Sequence, residues 1–486
     1  MKRMKWRTAD TMSMKEAIGK TVSYAKRNGI AAAWGAARER LHDRKVPYLF
    51  AEEGEEVLRQ QRIQYAVWKK QQQAPMISIL VPCYKTPPVY FREMLQSVCR
   101  QTYGNWELIL EDATPYGETE TVNESDQNEI AGILAEIAPD DKRIIYNHLK
   151  LNDGISENTN RALELASGEY TCLLDHDDLL TEDALYEMAQ KIIARRMVEN
   201  CRKPENGNLC FLYSDEDKCN GDHSRYYEPN RKPEFNADYL FSNNYICHLS
   251  MFRTDLLRSL GFRKEYDGAQ DYDVILRACA LALEENGRDS IVHIPKVLYH
   301  WRCHEGSTAS NPESKRYAYD AGKRALENYF ESRKIHASVT DLPHVGFYRT
   351  TYLPDVFTAR ADIGIVGGKL TDRKGRIAGG IYDEQGESLY AGLPRGYSGG
   401  FQHLAALQQD AFAVDLRCMK VRPECWELYR QLTGIPYCAG NGDPVKLPEQ
   451  WDEAEIRKRS IALCRAVQER GYRILWDPQM VQKTDK

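Results

Sequence analysis

From Met76 onward, short apolar runs alternate with segments whose apolar residues recur every three or four positions. Ile77-Ser78-Ile79-Leu80-Val81 reads as a buried strand, 89–100 as an amphipathic helix, Trp106–Leu110 as a strand, 125–138 as a helix and Ile144–Tyr146 as a strand. A helix over 156–166, a strand at Tyr170–Leu174, a helix over 181–196 and a strand at Leu209–Tyr213 continue the alternation. Beyond these, the pattern predicts a helix over 269–286 and a strand at Ile291–Ile294, followed by Pro295. Such β-α alternation specifies an α/β domain whose mostly parallel sheet is covered on both faces, with ligands at the carboxyl ends of the strands. Polar residues collect at those ends: Pro82-Cys83-Tyr84, Glu111-Asp112, Asp175-His176-Asp177-Asp178 and Asp215-Glu216-Asp217. Before Met76 the chain reads as alanine-rich, charged helix and breaks at Gln71-Gln72-Gln73-Ala74-Pro75. The chain therefore divides into a helical N-terminal appendage (1–74), a central α/β domain (75–345) and a C-terminal segment (346–486).

Composition narrows the function classes. The 486 residues are 42% hydrophobic, enough for two or three cores. A net charge of -5 offers no general phosphate-attracting surface, so no nucleic-acid partner is expected. Residues 1–45 differ, with twelve Lys or Arg against four acids. Interleaved with Met, Trp, Tyr and Ile, they suit either docking on an anionic membrane face or partner, or a solvated helical hairpin packed on the main domain. The thirteen cysteines include no CxxC pair, which fits neither a disulfide framework nor a zinc site and points to a reducing cytosol. No run is apolar enough to span a bilayer, and charges stand where a signal peptide needs its apolar stretch. The expected location is cytoplasmic, with peripheral contact on the inner face of the cell membrane if the basic segment docks there.

Asp175 and Asp177, one residue apart at a strand end, suit Mg²⁺ or Mn²⁺, which take oxygen ligands from one or two carboxylates and leave positions for phosphate and water. Alone, the pair reads equally as a capping cluster before the next helix. Asp271 falls in the first turn of the helix over 269–286, where the helix dipole favours an ionised carboxylate. Asp273 is the neighbouring alternative; side chains two apart on a helix do not share a face, so only one of the two can point at a substrate.

The order Ile79-Leu80-Val81-Pro82-Cys83-Tyr84, Trp106–Asp112, Gly154-Ile155-Ser156 through Asn160, and Gly168-Glu169-Tyr170 running into Asp175-His176-Asp177-Asp178 resembles family 2 glycosyltransferases of the GT-A fold. The likeness continues through Tyr213–Lys218, Asn243–Ile246, Gly268–Asp273 and Tyr299-His300-Trp301-Arg302, over about 75–345, and is to the bacterial branch that builds surface polysaccharides. It implies an inverting, metal-dependent transferase that moves a sugar from a nucleoside-diphosphate sugar to a glycan or lipid-linked saccharide acceptor. Pro82 and Tyr84 would line the nucleoside pocket, Asp112 would read the base and Asn160 would face the donor. Asp177, assisted by Asp175 and with His300 as a nitrogen ligand, would hold Mn²⁺ or Mg²⁺, Arg302 would grip the diphosphate, and Asp271 would be the catalytic base. Asp215, Asp217 and Lys218 would face donor sugar or acceptor, or form a charged hairpin. The family's second acidic motif usually begins Asp-Asp, whereas this chain has Glu111-Asp112. A nucleotidyltransferase would need a glycine-rich loop after the first strand, which Pro82–Pro88 does not supply. A non-catalytic sugar-nucleotide-binding scaffold is the remaining alternative.

From Ala361, Ile363–Leu370 and Gly375–Gly380 resemble the latter half of a second such module. The helix over 453–470 with Gly471 and Pro478 echoes the helix over 269–286 with Gly287 and Pro295, placing Glu455 where Asp271 stands. Without nucleotide-binding strands or a DxD, this segment is expected to be a degenerate, non-catalytic half that supports folding, homodimer formation or acceptor binding.

Overall fold

A computed structural model of the chain describes residues 48–115, 129–199, 209–304, 316–438 and 447–484, with isolated positions between 22 and 37. The basic segment 1–45 thus lies almost wholly outside the described residues. The chain forms two compact units, Tyr48–Ala361 and one containing Asp362–Lys486. No described helix is long and apolar enough to cross a membrane.

In the larger unit, helix α1 (Glu55–Lys70) precedes β1 (Ile77–Cys83), α2 (Pro88–Cys99), β2 (Trp106–Asp112), α3 (Glu129–Ile137), β3 (Ile144–His148), α4 (Ile155–Leu165) and β4 (Tyr170–Leu173). There follow β5 (Leu179–Leu180), α5 (Ala184–Glu199), β6 (Phe211–Asn220), β7 (Tyr226–Asn230), β8 (Ser250–Arg253), α6 (Thr254–Leu260), α7 (Gln270–Asn286), β9 (Ile291–Cys303), α8 (Arg316–Ser332) and the antiparallel hairpin β10 (Ala337–Asp341) and β11 (Tyr348–Tyr352). The main sheet has the order β3-β2-β1-β4-β8-β6-β9-β5, with β7 on β6. Strands β1 to β4 are parallel, β8 runs against β4 and β6, and β6 is parallel to β9. The result is the mixed, mostly parallel sheet expected, with the carboxyl ends of β1, β2, β4 and β6 on one rim. The continuous apolar strands follow from burial on both faces: every residue of β2 is buried, including Glu107, which is satisfied by Ser78 Oγ (2.6 Å) and Ser167 Oγ (2.9 Å).

Two boundaries differ from the sequence pattern. Strand β9 runs through Pro295 instead of stopping before it, because the register skips there: Ser214 faces Ile294 but Asp215 faces Val297. At a bulge no ladder hydrogen bond is needed from the imino nitrogen, so proline is tolerated. The larger unit also takes in 48–74 and 346–361. Trp68 of α1 stacks on Tyr186 at 5.0 Å, and Arg360 binds the buried Asp238 carboxylate at 2.9 Å.

The smaller unit carries β12 (Ile363–Thr371), β13 (Ile377–Gly379), β14 (Ile381–Tyr382), β15 (Gln409–Asp410), β16 (Ala413–Val414), β17 (Met419–Val421), α9 (Trp426–Thr433), α10 (Glu453–Glu469) and β18 (Arg473–Lys483). Strand β12 pairs antiparallel with β13 and β17 and parallel with β18, as β6 pairs with β7, β8 and β9. The register break recurs as well: Gly368 faces Asp477 but Lys369 faces Val481. Matching the breaks sets Lys369, Leu370 and Thr371 at the places of Asp215, Glu216 and Asp217. The antiparallel registers, Tyr213 opposite Ser250 and Gly367 opposite Met419, set Arg417 at the place of His248. Among the described residues, the unit repeats the strand pairing of β6 to β9 and shows no counterpart of β1 to β4. The edge that in the larger unit meets β4 is closed by side chains: Val421 N donates to Tyr437 Oη (3.1 Å) and Trp426 Nε1 donates to Val421 O (2.8 Å).

Candidate active site

The turn after β4 is fixed by β9. Asp178 is buried and accepts hydrogen bonds from Tyr299 Oη (2.5 Å) and from the backbone N–H of Arg302 (2.7 Å). The Arg302 guanidinium donates to the backbone carbonyl of Asp177 (2.6 Å), pairs with Glu93 of α2 (2.6 Å) and lies over the Tyr90 ring. With its backbone held this way, the turn presents two carboxylates to two imidazoles. Asp177 Oδ2 lies 2.8 Å from His304 Nε2, and Asp175 Oδ2 lies 3.8 Å from His248 Nε2. Donor atoms of Asp175, Asp178 and His248 all come within 4.8 Å of one another.

Asp271 enters this field from the first turn of α7. Burial pushes its carboxyl up to about 6, the charge of Asp175 adds to the rise, and His248 partly offsets it. The turn before it is shaped by Asp267, which accepts from the N–H of Ser156 and so caps α4. Gly154, at φ +101, leaves room for that carboxylate, because a Cβ there would lie 2.4 Å from Asp267 Oδ2. Two segments of the sequence motif therefore meet at one pair of helix starts.

The donor set of carboxylate oxygens and imidazole nitrogens fits a divalent cation, and imidazole suits Mn²⁺ better than Mg²⁺. Asp175, Asp178 and His248 bring their donor atoms within 4.8 Å of one another, and Asp177 with His304 adds a second carboxylate–imidazole pair at the same turn.

The glycosyl transferase family 2 model matches residues 78–261, the span that carries β1, β2, β4 and the Asp175–Asp178 turn. Over that span the chain is similar to glycosyl transferase family 2. The chain is 38% identical over 262 residues to the uncharacterised protein y4gI of Sinorhizobium fredii, covering 54% of this chain and 26% of that protein. It is 30% identical over 279 residues to the O-antigen biosynthesis protein RfbC of Myxococcus xanthus, covering 57% and 20% respectively. The chain thus spans about a quarter or less of the length of these relatives. The structure of S. aureus TarS 1–349 in complex with UDP-GlcNAc aligns over 52% of this chain and 66% of its own at 19% identity, with a TM-score of 0.36.

Within the family 2 domain and its β9 extension, the expected site residues separate into two groups. Pro82 and Tyr84 lie at the end of β1, and Tyr84 is 42% exposed, so its ring is free to meet a ligand. Asp271 lies within the field of Asp175, and Asp177 meets His304 at the same turn. Four others are placed differently. Asp112 has no exposed surface; it accepts from the N–H of Thr114 (3.0 Å) and from Tyr146 Oη (2.9 Å), and so shapes the turn after β2. Asn160 spends its amide on both backbone groups of Phe262 at 2.8 Å, clamping the turn after α6. Arg302 is fully buried among Glu93, Tyr90 and backbone carbonyls, so it braces Asp177 and cannot reach a diphosphate from there. His300 is not at the carboxylate turn: its Nδ1 lies 2.5 Å from the buried Asp217, with Phe50 and Tyr226 packed on its ring. The imidazole beside Asp177 is instead that of His304, just past the end of β9.

The acidic run Asp215-Glu216-Asp217 is likewise not a strand end. It lies inside β6, so period-two alternation sends Asp215 to His293 (2.8 Å) and Asp217 to His300 on one face, and Glu216 to His248 (3.2 Å) on the other. Asp273 is locked by Arg277 (2.6 Å) and Arg263, which leaves Asp271 as the carboxylate of that pair able to act. His304, past the end of β9, carried no motif of its own. His248 had no local signal beyond its place two residues after Asn243–Ile246.

Proposed function

We propose that the larger unit is an inverting glycosyltransferase that moves a sugar from a nucleoside-diphosphate sugar to a glycan or lipid-linked saccharide acceptor in cell-surface polysaccharide synthesis. The observation that carries this reading is the convergence of Asp271, its carboxyl raised to about 6, with Asp175, Asp177 and two imidazoles on the carboxyl rim of a family 2 domain. The name of the RfbC relative supports the polysaccharide context.

In the reaction, Tyr84 and Pro82 seat the nucleoside, and Asp175 and Asp177 would hold the cation beside the imidazoles of His248 and His304. A bound Mn²⁺ or Mg²⁺ supplies positive charge against the leaving diphosphate. Asp271 takes the proton of the acceptor hydroxyl as that oxygen attacks the anomeric carbon. The bond from the anomeric carbon to the diphosphate oxygen breaks with its electron pair, and the configuration inverts. The protein works on the cytoplasmic side, with residues 1–45 making peripheral contact with the inner face of the membrane. Incubation with Mn²⁺ and a panel of UDP-, GDP- and dTDP-sugars, followed by nucleoside diphosphate release, tests the reading. Full activity in Asp177→Ala and Asp271→Ala with a true donor would sink it.

A further inference from the structure

Beneath His248 lies an ion pair that the reaction as described does not use. Lys232 has no exposed side-chain surface; its ammonium donates to the carbonyls of Ile246 (2.5 Å) and His248 and stands 3.7 Å from Glu216 Oε2. Glu216 accepts from Asn230 Nδ2 (2.9 Å) on one oxygen and meets His248 Nδ1 (3.2 Å) with the other. The His248 ring lies flat on Tyr299, with centroids 4.6 Å apart and planes 10° apart, and its Nε2 lies 3.5 Å from Cys247 Sγ and 3.8 Å from Asp175 Oδ2. A buried charge is costly unless it is paired, so a Lys and a Glu kept this deep next to one imidazole call for a reason beyond packing.

Resting on the transferase reading, we infer that Glu216 is a positioning residue: held by Lys232, it takes the Nδ1–H of His248 and so fixes the ring with Nε2 facing Asp175 and the cation-binding turn. An imidazole that meets a ligand through one nitrogen is oriented by the partner of the other, and loss of such a partner typically costs about 10- to 100-fold. Lys232 serves the same end twice, since it also ties down the backbone carbonyl of His248 itself.

The test must separate positioning from folding. Glu216→Leu combined with Lys232→Met removes both charges together and keeps the volume apolar, which buried pairs tolerate. We expect this double variant to lose about 10- to 100-fold in kcat with donor KM changed by less than about threefold. Glu216→Gln, whose amide oxygen still accepts from Nδ1, should keep most of the activity. In a His248→Ala background the Glu216→Leu/Lys232→Met change should cost nothing further, because the pair would act only through that ring. Wild-type kcat in the double variant, or an equal loss with and without His248, would overturn the inference. A readout independent of turnover is ¹⁵N NMR of labelled histidines: the wild-type His248 ring should carry its proton on Nδ1, and the double variant should lose that fixed form. A wild-type ring without a fixed Nδ1 proton refutes the positioning role even in an active enzyme. A protein that consumes no sugar nucleotide but shows the fixed proton refutes the transferase reading alone.

Discussion

Asp271 shows how one residue's surroundings set its chemistry. Burial and the Asp175 charge raise its carboxyl to about 6, so a base on this residue is off at low pH and on above it. Activity, as kcat against pH at saturating donor, should therefore rise as pH increases through about 6, and a profile flat from pH 5 to 8 (roughly one pK unit or more on each side) would contradict the assignment. Asp271→Asn should lower kcat by about 10²- to 10⁴-fold. Stability moves the other way. Because its folded pKa lies above the unfolded one, stability is fully present below the unfolded value and is lost as pH rises through the folded value, so at neutral pH the neutral Asn should raise Tm by thermal melt. Asp175, Asp177 and Asp271 were legible as residues because each sits in a short local motif. His248 and His304 were not, since their relation to the acidic turn is made by β8 and β9 crossing beside it.

Among the elements, strands and helices of the core were legible wherever apolar period and burial agree, as in β1, β2 and α4. Periodicity could not show that β6 continues through Asp215-Glu216-Asp217, because three acids in a row read as a strand end until buried histidines and Lys232 are brought against them. The turn into β4 makes a sharper demand. A Cβ on Gly168 would lie 2.6 Å from Ser78 Oγ and 2.7 Å from Ser78 N, in the space the Glu107 network fills. Gly168→Ala should destabilise the protein by about 1–3 kcal/mol in urea unfolding. Asp273→Ala is expected to cost about 2–3 kcal/mol by the same measurement, since it strips two guanidinium groups of their shared carboxylate, and any surviving protein should keep its base. A loss of activity in that variant without loss of stability would return the catalytic role to Asp273.

For the whole molecule, the repeat in the smaller unit preserves pairing but not chemistry. Lys369, Leu370, Thr371 and Arg417 occupy the places of Asp215, Glu216, Asp217 and His248, and Glu455 is spent on Arg459 at 2.6 Å. Glu455→Gln should accordingly leave turnover unchanged, and Asp177→Ala alone should abolish it; residual activity removed only by the Glu455 change would reveal a second centre. The basic segment makes its own prediction: the full chain should co-sediment with anionic vesicles at low salt and release as salt screens the attraction, whereas equal binding to neutral vesicles would argue against charge-led docking. The linear chain by itself determined the α/β plan, a second sheet-containing C-terminal half, the acidic turn and the helix-borne Asp271, because these follow from local period and short motifs. Only the tertiary structure decided that His304 and His248, not His300, face that turn, and that Arg302, Asn160 and Asp112 are braces. The physical reason is that burial and partnership come from strands distant in sequence, and a side chain's role is set by which of those partners has already claimed its polar atoms.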